Sequence, residues 1–186
     1  MNRLLIMTVG KTHSGKTTFA NNLESILQQA VVIDQDNHAE FINKHYKKLR
    51  PKEGQNTLKF TVTNAIVEYA TEQSNFDLIL SNSNLNKPAR SNVLRYFYDK
   101  GFKSIIVYFE SPIEVLKERI EQSQRSKAIF RSASSFMEVL ERQEKSKLDE
   151  PTEDEVDHLF VIKNQEEITE VIQKIKTISN IGTSLS

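Results

Sequence analysis

The sequence predicts an α/β protein of three layers, with helices on both faces of a five-stranded parallel sheet and a helical lid over one edge. Three observations carry this prediction. Apolar runs of strand length alternate with helical periodicity along the 186 residues. Each run is almost continuously apolar, as strands covered on both faces must be. No internal repeat or linker interrupts the alternation. Residues 1–180 therefore read as one domain, with a lid at about 120–150 and a flexible tail at 181–186 that frays from Ser179.

The elements follow in order. Residues 4–9 form the first strand, and the next helix turns Phe19, Leu23, Ile26 and Leu27 to the core. A second strand, 30–33, ends at Asp34, and residues 38–49 read as a basic helix. Leu58, Val62, Ala65, Ile66, Tyr69 and Ala70 are spaced for one helical face. Residues 78–80 are the third strand, and a helix over 88–100 stops at Gly101. Residues 105–109 are the fourth strand. In "SPIE", Ser111 reads as an N-cap, Pro112 as the first helical residue and Glu114 as the third. The fifth strand is 159–162, and a last helix from about Asn164 buries Ile168, Val171, Ile172 and Ile175. The polar stretch 120–150 has no strand of its own, hence its reading as a lid.

Composition narrows the function. Charged residues are 27% of the chain and cancel to zero, so no global field favours a nucleic acid or a membrane. There is no cysteine, which excludes thiolate chemistry and disulfides. His13, His38, His45 and His158 show no metal-ligand spacing. The N-terminal run "LLIMTV" is too short for a membrane span and lacks a cleavage site, so it reads as a strand, and a soluble, cytoplasmic protein is expected.

Directly after the first strand stands "GKTHSGKT", the G-x-x-x-x-G-K-[ST] phosphate-binding loop. Glycine lets backbone amides curl around phosphates, and the following helix presents its positive end to them. Gly10, Lys11, Thr12, His13, Ser14, Gly15, Lys16, Thr17 and Thr18 are the candidate nucleotide-binding residues. Lys16 reaches the outer phosphates, Thr17 offers its hydroxyl to Mg²⁺, and His13 occupies a variable slot.

"DQDNH", residues 34–38, follows the second strand and so faces the same crevice. A carboxylate here can take the proton of an attacking hydroxyl. The competing reading is that Asp34 or Asp36 only caps the next helix. Arg119, Arg125, Lys127 and Arg131 fall in the lid region, where a cation can neutralise a transferring phosphoryl group. Lys44, Lys47, Lys48, Arg50 and Lys52 read as a solvated face. The acidic run 149–157 reads as a solvated connector.

The third strand runs into Ser81, Asn82, Ser83 and Asn84. The order "GKTHSGKTTFA", "VVIDQDN", "LILSNSNLNKPARSNVLRYF", "SIIVYFESPIEVLKERI", "PTEDEVDHLFVI" resembles the P-loop kinases of the polynucleotide-kinase and zeta-toxin type. In the polynucleotide-kinase branch this strand ends in serine, then aspartate, threonine and asparagine. Asn84 and Arg90 match that pattern, Ser83 replaces threonine, and Asn82 stands where the family has the acid. The resemblance implies a P-loop NTPase fold and ATP with Mg²⁺ as cofactors. It also implies Asp36 as general base, with Lys16 and Thr17 in their usual roles.

Two departures stand out. The lid arginines Arg119 and Arg125 are spaced differently from the family's pair. The family's acceptor-binding arginine after the base has no counterpart, since Asn37, His38 and Ala39 follow Asp36, which weakens the case for a nucleic-acid end as acceptor.

The resulting expectation is an ATP-dependent kinase acting on a hydroxyl of an unidentified small-molecule, nucleotide or nucleic-acid-end acceptor. Lys16, Asp36 and Arg125 or Arg131 are its catalytic residues, Thr17 and Asp34 its metal ligands, and Asp36, Asn82, Asn84 and Arg90 its acceptor side. No guanine-reading motif is evident, which favours ATP. The competing expectations are a nucleotide-binding regulatory protein that phosphorylates nothing, and a toxin-like kinase of a nucleotide sugar.

Overall fold

The computed structural model of the protein describes residues 3–146 and 149–183. Five strands, β1 (Leu4–Gly10), β2 (Ala30–Asp34), β3 (Asp77–Ser81), β4 (Lys103–Phe109) and β5 (His158–Ile162), form one sheet in the order β2-β3-β1-β4-β5. Every neighbouring pair is parallel. The helices are α1 (Lys16–Ile26), α2 (Gln35–His45), α3 (Thr57–Gln73), α4 (Lys87–Asp99), α5 (Ile113–Glu121), α6 (Phe136–Lys145) and α7 (Glu166–Thr183).

β1 is central and buried throughout, which is why its run carries no charge. Its residues alternate between two cores, as the period of a strand requires. Leu4 and Ile6 join Phe19 and Leu23 of α1 and Val171, Ile172 and Ile175 of α7 on one face. Leu5, Met7 and Val9 join Ala70 of α3, Leu94 and Phe97 of α4, and Phe102 on the other. Ile168 packs against the first core only partly buried.

The sheet order reverses at β1, whose partners are β3 on one side and β4 on the other. The loops after β1, β2 and β3 therefore emerge side by side at the carboxyl edge, where open α/β sheets bind ligands.

Several local expectations are corrected. The buried face of α3 consists of Thr63, Ala70 and Thr71, while Ile66 and Tyr69 are 40% and 70% exposed. The helix is turned by about one residue, roughly 100°, which brings Val67 and Ala70 onto the second core and Thr63 to His38 of α2. The basic segment divides into α2, which already starts at Gln35, and a 3-10 turn at Lys47–Leu49. Ser111 does not cap α5. Pro112 is the N-cap with extended backbone (φ −56°, ψ 145°) and no side-chain cap bond, so the helix starts at Ile113.

The region 120–150 is less helical than expected: a 3-10 turn at Lys127–Ile129 and α6 stand among irregular segments. Asn164 accepts from the amides of Glu166 and Glu167 and so caps α7 from outside. α7 does not fray at Ser179, whose hydroxyl donates to Asp77 Oδ2 at 3.2 Å, and it continues to Thr183. Residues 184–186 of the expected tail lie outside the described residues.

The acidic connector is also more than solvated. Glu155 accepts from Arg90 Nε at 2.8 Å and Nη2 at 3.0 Å, with side-chain exposures of only 5% and 0%. Among the described residues no helix is long and apolar enough to cross a membrane.

Candidate active site

β1 feeds the phosphate loop. A Cβ on Gly10 (φ 152°) would meet Ser14 Oγ at 2.9 Å and Phe109 Cβ at 3.0 Å, so only glycine fits. Gly15 (φ 101°) supplies the left-handed residue that turns the loop into α1. Lys16 opens that helix, and its ammonium donates to the carbonyl of Lys11 at 2.5 Å and to Ser14 Oγ at 3.2 Å. Burial, and then the charge of Arg125, push its pKa down to about 7 against the pull of Asp36 and Asp34. A lysine so placed gains most from an anion delivered beside it.

Thr17 donates its hydroxyl to Asp34 Oδ2 at 3.2 Å. Asp34 also caps α2, its Oδ1 accepting the Asp36 amide at 2.8 Å. Capping and site chemistry thus fall to the same residue, one oxygen each. Burial raises the Asp34 pKa, opposed by the bond from the Asp36 amide. Asp36, one step into α2, turns its carboxylate to Arg125, whose Nη2 lies 2.8 Å from Oδ2. Lys59 of α3 lines the same wall. Burial lowers its pKa while Asp36 and Asp34 raise it.

The lid docks directly on the loop. Thr12 donates its amide to Gln143 Oε1 at 2.9 Å, and Lys11 pairs with Glu144. His13 takes the left-handed conformation (φ 60°) and packs edge-on against Phe136 at 4.6 Å. The Arg125 guanidinium lies over the same Phe136 ring at 5.4 Å. Arg119 Nη1 donates to the His13 carbonyl at 3.3 Å. Burial, then Arg125, Lys16 and Arg119, hold the His13 pKa down at about 4, so the ring is neutral at pH 7. Between loop and lid lies a crevice of about 770 Å³ that takes in Lys16, Thr17, Asp36, Asn82, Arg119 and Arg125.

A family model described as "AAA domain" matches residues 5–146, most of the chain and all of this site up to the end of α6. The chain belongs to that family. Among curated protein sequences none matches it. The solved structures that share the fold include these three. Kti12 from Chaetomium thermophilum, in complex with ADP-AlF3, is 17% identical over 93% of this chain and 97% of its own, with a TM-score of 0.64. A gluconokinase from Sinorhizobium meliloti is 18% identical over 98% and 95%, at 0.58. The APS kinase CysC of Mycobacterium tuberculosis, in complex with AMPPNP and APS, is 15% identical over 97% and 99%, at 0.61. These likenesses show the P-loop NTPase fold.

In this AAA domain the predicted site residues separate into two groups. Ser14, Lys16, Thr17, Asp36, Asn82 and Arg125 converge on the crevice. Arg131 does not reach it and instead donates to the carbonyls of Pro51, at 3.0 Å, and Gly54. Arg90 is buried in its pair with Glu155 and also donates to the Asn84 carbonyl at 2.9 Å. Asn84 (φ 47°) fastens the loop after β3 to β1, its Nδ2 donating to the Thr8 carbonyl at 2.9 Å. Asn82 donates to Gln35 Oε1 at 2.9 Å and accepts the Ser83 amide at 2.8 Å.

Sequence reading missed Lys59, Gln143 and Phe136. A lysine on an amphipathic helix and an aromatic in a polar lid carry no local signal. His13, placed in a variable slot, proves to be where the lid sits on the loop.

Proposed function

We propose that this AAA domain is a kinase that moves the γ-phosphoryl group of ATP onto a hydroxyl of a small-molecule acceptor. One observation carries the reading: Lys16, Thr17 with Asp34 hydrogen-bonded behind it, and the Asp36–Arg125 pair meet at a single crevice at the carboxyl edge of the sheet. Phosphoryl transfer needs a triphosphate cradle, a cation for developing charge and a base for the incoming hydroxyl, within reach of each other.

The donor set fits Mg²⁺. The Thr17 hydroxyl and Asp34 carboxylate are hard oxygen donors at the mouth of the loop. Among the described residues no group of three His, Asp or Glu could hold a metal alone, so phosphate oxygens of the nucleotide would complete the shell. Bound there, Mg²⁺ would neutralise charge on the β- and γ-phosphates.

The amides of Gly10 to Thr18 with Lys16 hold and orient the triphosphate. Arg125 exchanges the Asp36 carboxylate for the γ-phosphate, which frees Asp36. Asp36 takes the proton of the acceptor hydroxyl as its oxygen bonds to phosphorus. The bond from the γ-phosphorus to the bridging oxygen breaks, and ADP leaves. Lys59, whose charge Asp36 and Asp34 support against burial, lines the same crevice.

The narrower kinship with polynucleotide kinases and zeta toxins rests on motif order. A second reading, a nucleotide-binding regulatory protein, is favoured by the amide at Asn82 where that branch has an acid. Incubation with ATP and a metabolite extract, followed by mass spectrometry, separates the two. The kinase reading predicts a new phosphorylated product that is lost with Lys16→Ala. ATP binding with no such product in any extract overturns it.

A further inference from the structure

Beside the crevice lies a second cavity of about 340 Å³, between α3, α4 and the ends of β2 and β3. Ile33, Val67, Leu80 and Val93 give it an apolar floor, and its rim carries Gln35, Asn64 and Asn92. Among the described residues no hydrogen bond engages the Asn64 or Asn92 side chains. Among the described residues Glu68 is the one charged side chain along its lining, and no lysine or arginine lines it. Asn82 lines both spaces, and with Gln35 forms the hydrogen-bonded wall between them. Gln35 faces the cavity while Asp36, next along the first turn of α2, faces the crevice, so the Asn82–Gln35 pair is what the two spaces share.

The charges of the crevice bear independently on what this cavity holds. Lys16, Lys59, Arg119, Arg125 and Lys163 line the crevice with Asp36, and Asp34 lies behind Thr17. Those cations lie in the crevice with the triphosphate, and among the described residues none lines the cavity itself, so a phosphate or carboxylate seated there would meet no counter-charge. An apolar floor with a few hydrogen-bonding groups is the usual composition of a small-molecule site, and the volume suits a one- or two-ring molecule.

Resting on the kinase reading, we propose that this cavity seats the body of the acceptor. The acceptor is an uncharged, hydroxylated ring compound with one apolar face, and its hydroxyl passes the Asn82–Gln35 pair to reach Asp36. The shared chemistry belongs to neutral glycosides and to nucleosides alike, and Asn64 and Asn92 are its hydrogen-bonding partners.

The test is calorimetric and needs no turnover. The protein, loaded with AMPPNP and Mg²⁺, is titrated with neutral glycosides, nucleosides and the phosphorylated or carboxylated counterpart of each. A neutral compound is expected to bind, its counterpart at least about tenfold more weakly. Val67→Phe, which fills the floor, should abolish that binding. Asn92→Ala, on the exposed rim, should weaken it about three- to tenfold. AMPPNP affinity serves as the folding control for both variants. Which neutral series binds decides between glycoside and nucleoside. Preference for the anionic counterpart, undiminished binding in Val67→Phe, or no neutral ligand at all overturns the inference. Phosphorylation of an anionic acceptor would overturn it while leaving the kinase reading intact. Binding in the cavity without phosphorylation of the bound compound would overturn the acceptor role.

Discussion

Asp36→Asn removes a proton acceptor while keeping shape. The asparagine Oδ1 can still accept from Arg125 where Asp36 Oδ2 now lies 2.8 Å from Nη2, and the cap of α2 belongs to Asp34. Folding should therefore be unaffected. Loss of a positioned base costs about 10²- to 10⁴-fold in kcat, or roughly 3–5 kcal/mol of barrier. A second effect follows from Lys16, whose ammonium Asp36 supports against burial and Arg125. Without that carboxylate the Lys16 pKa drops further below about 7. Nucleotide affinity of the variant should then fall behind wild type more at pH 8 than at pH 6. The assay is steady-state phosphoryl transfer with the identified acceptor, alongside calorimetric nucleotide binding at the two pH values. A kcat within about threefold of wild type would refute Asp36 as the base. Equal affinities at pH 8 would refute its electrostatic support of Lys16.

Three further predictions follow. In the wild type, a Lys16 pKa of about 7 is raised by the bound triphosphate, so binding above pH 7 takes up a proton; affinity should fall as pH rises, by about tenfold per unit at most. Calorimetry in buffers of different ionisation enthalpy reads that uptake, and none at pH 8 would contradict it. Glu155→Gln leaves the Arg90 guanidinium buried without its counter-charge and should cost about 3–5 kcal/mol by denaturant unfolding. Arg90→Met with Glu155→Leu should recover most of that loss, and a small effect of the single change would show that the pair does not hold the loop after β3. Asn82→Asp should tighten Mg²⁺ in the nucleotide complex, since the Ser83 amide can still donate to it and Gln35 can turn its amide to do the same. Unchanged or weaker Mg²⁺ binding in a titration would show that position 82 has no bearing on the metal.

Much of the fold was legible because it is written in short-range patterns. β1 reads as a buried strand from its composition alone, and glycine at position 10 follows from the close approach of Ser14 and Phe109. Asp34 and Asp36 were legible from their place after a strand, since sheet topology fixes where that edge lies. What escaped were partnerships across long stretches of chain. Arg90 looked like a substrate residue by pattern, yet its partner stands 65 residues away. Gln143 reaches Thr12 across 131 residues. On α3 Ala70 was read correctly, but Thr63 is buried through its bond with His38 of α2, 25 residues away, while Ile66 is exposed. For Arg125 and Arg131 sequence offered two equal candidates, and only the folded lid separates the one beside Asp36 from the one tied to Pro51.

The central claim is that one crevice holds the triphosphate on Lys16 and that Arg125 releases Asp36 to act as base. A crystal structure with AMPPNP and Mg²⁺ tests it most directly. The account predicts the Lys16 ammonium drawn from the Lys11 carbonyl onto the β- and γ-phosphates, Mg²⁺ beside Thr17, and Arg125 on the γ-phosphate with the Asp36 carboxylate free. Arg125 still paired with Asp36 over a fully bound triphosphate, or phosphates seated away from Lys16, would contradict it.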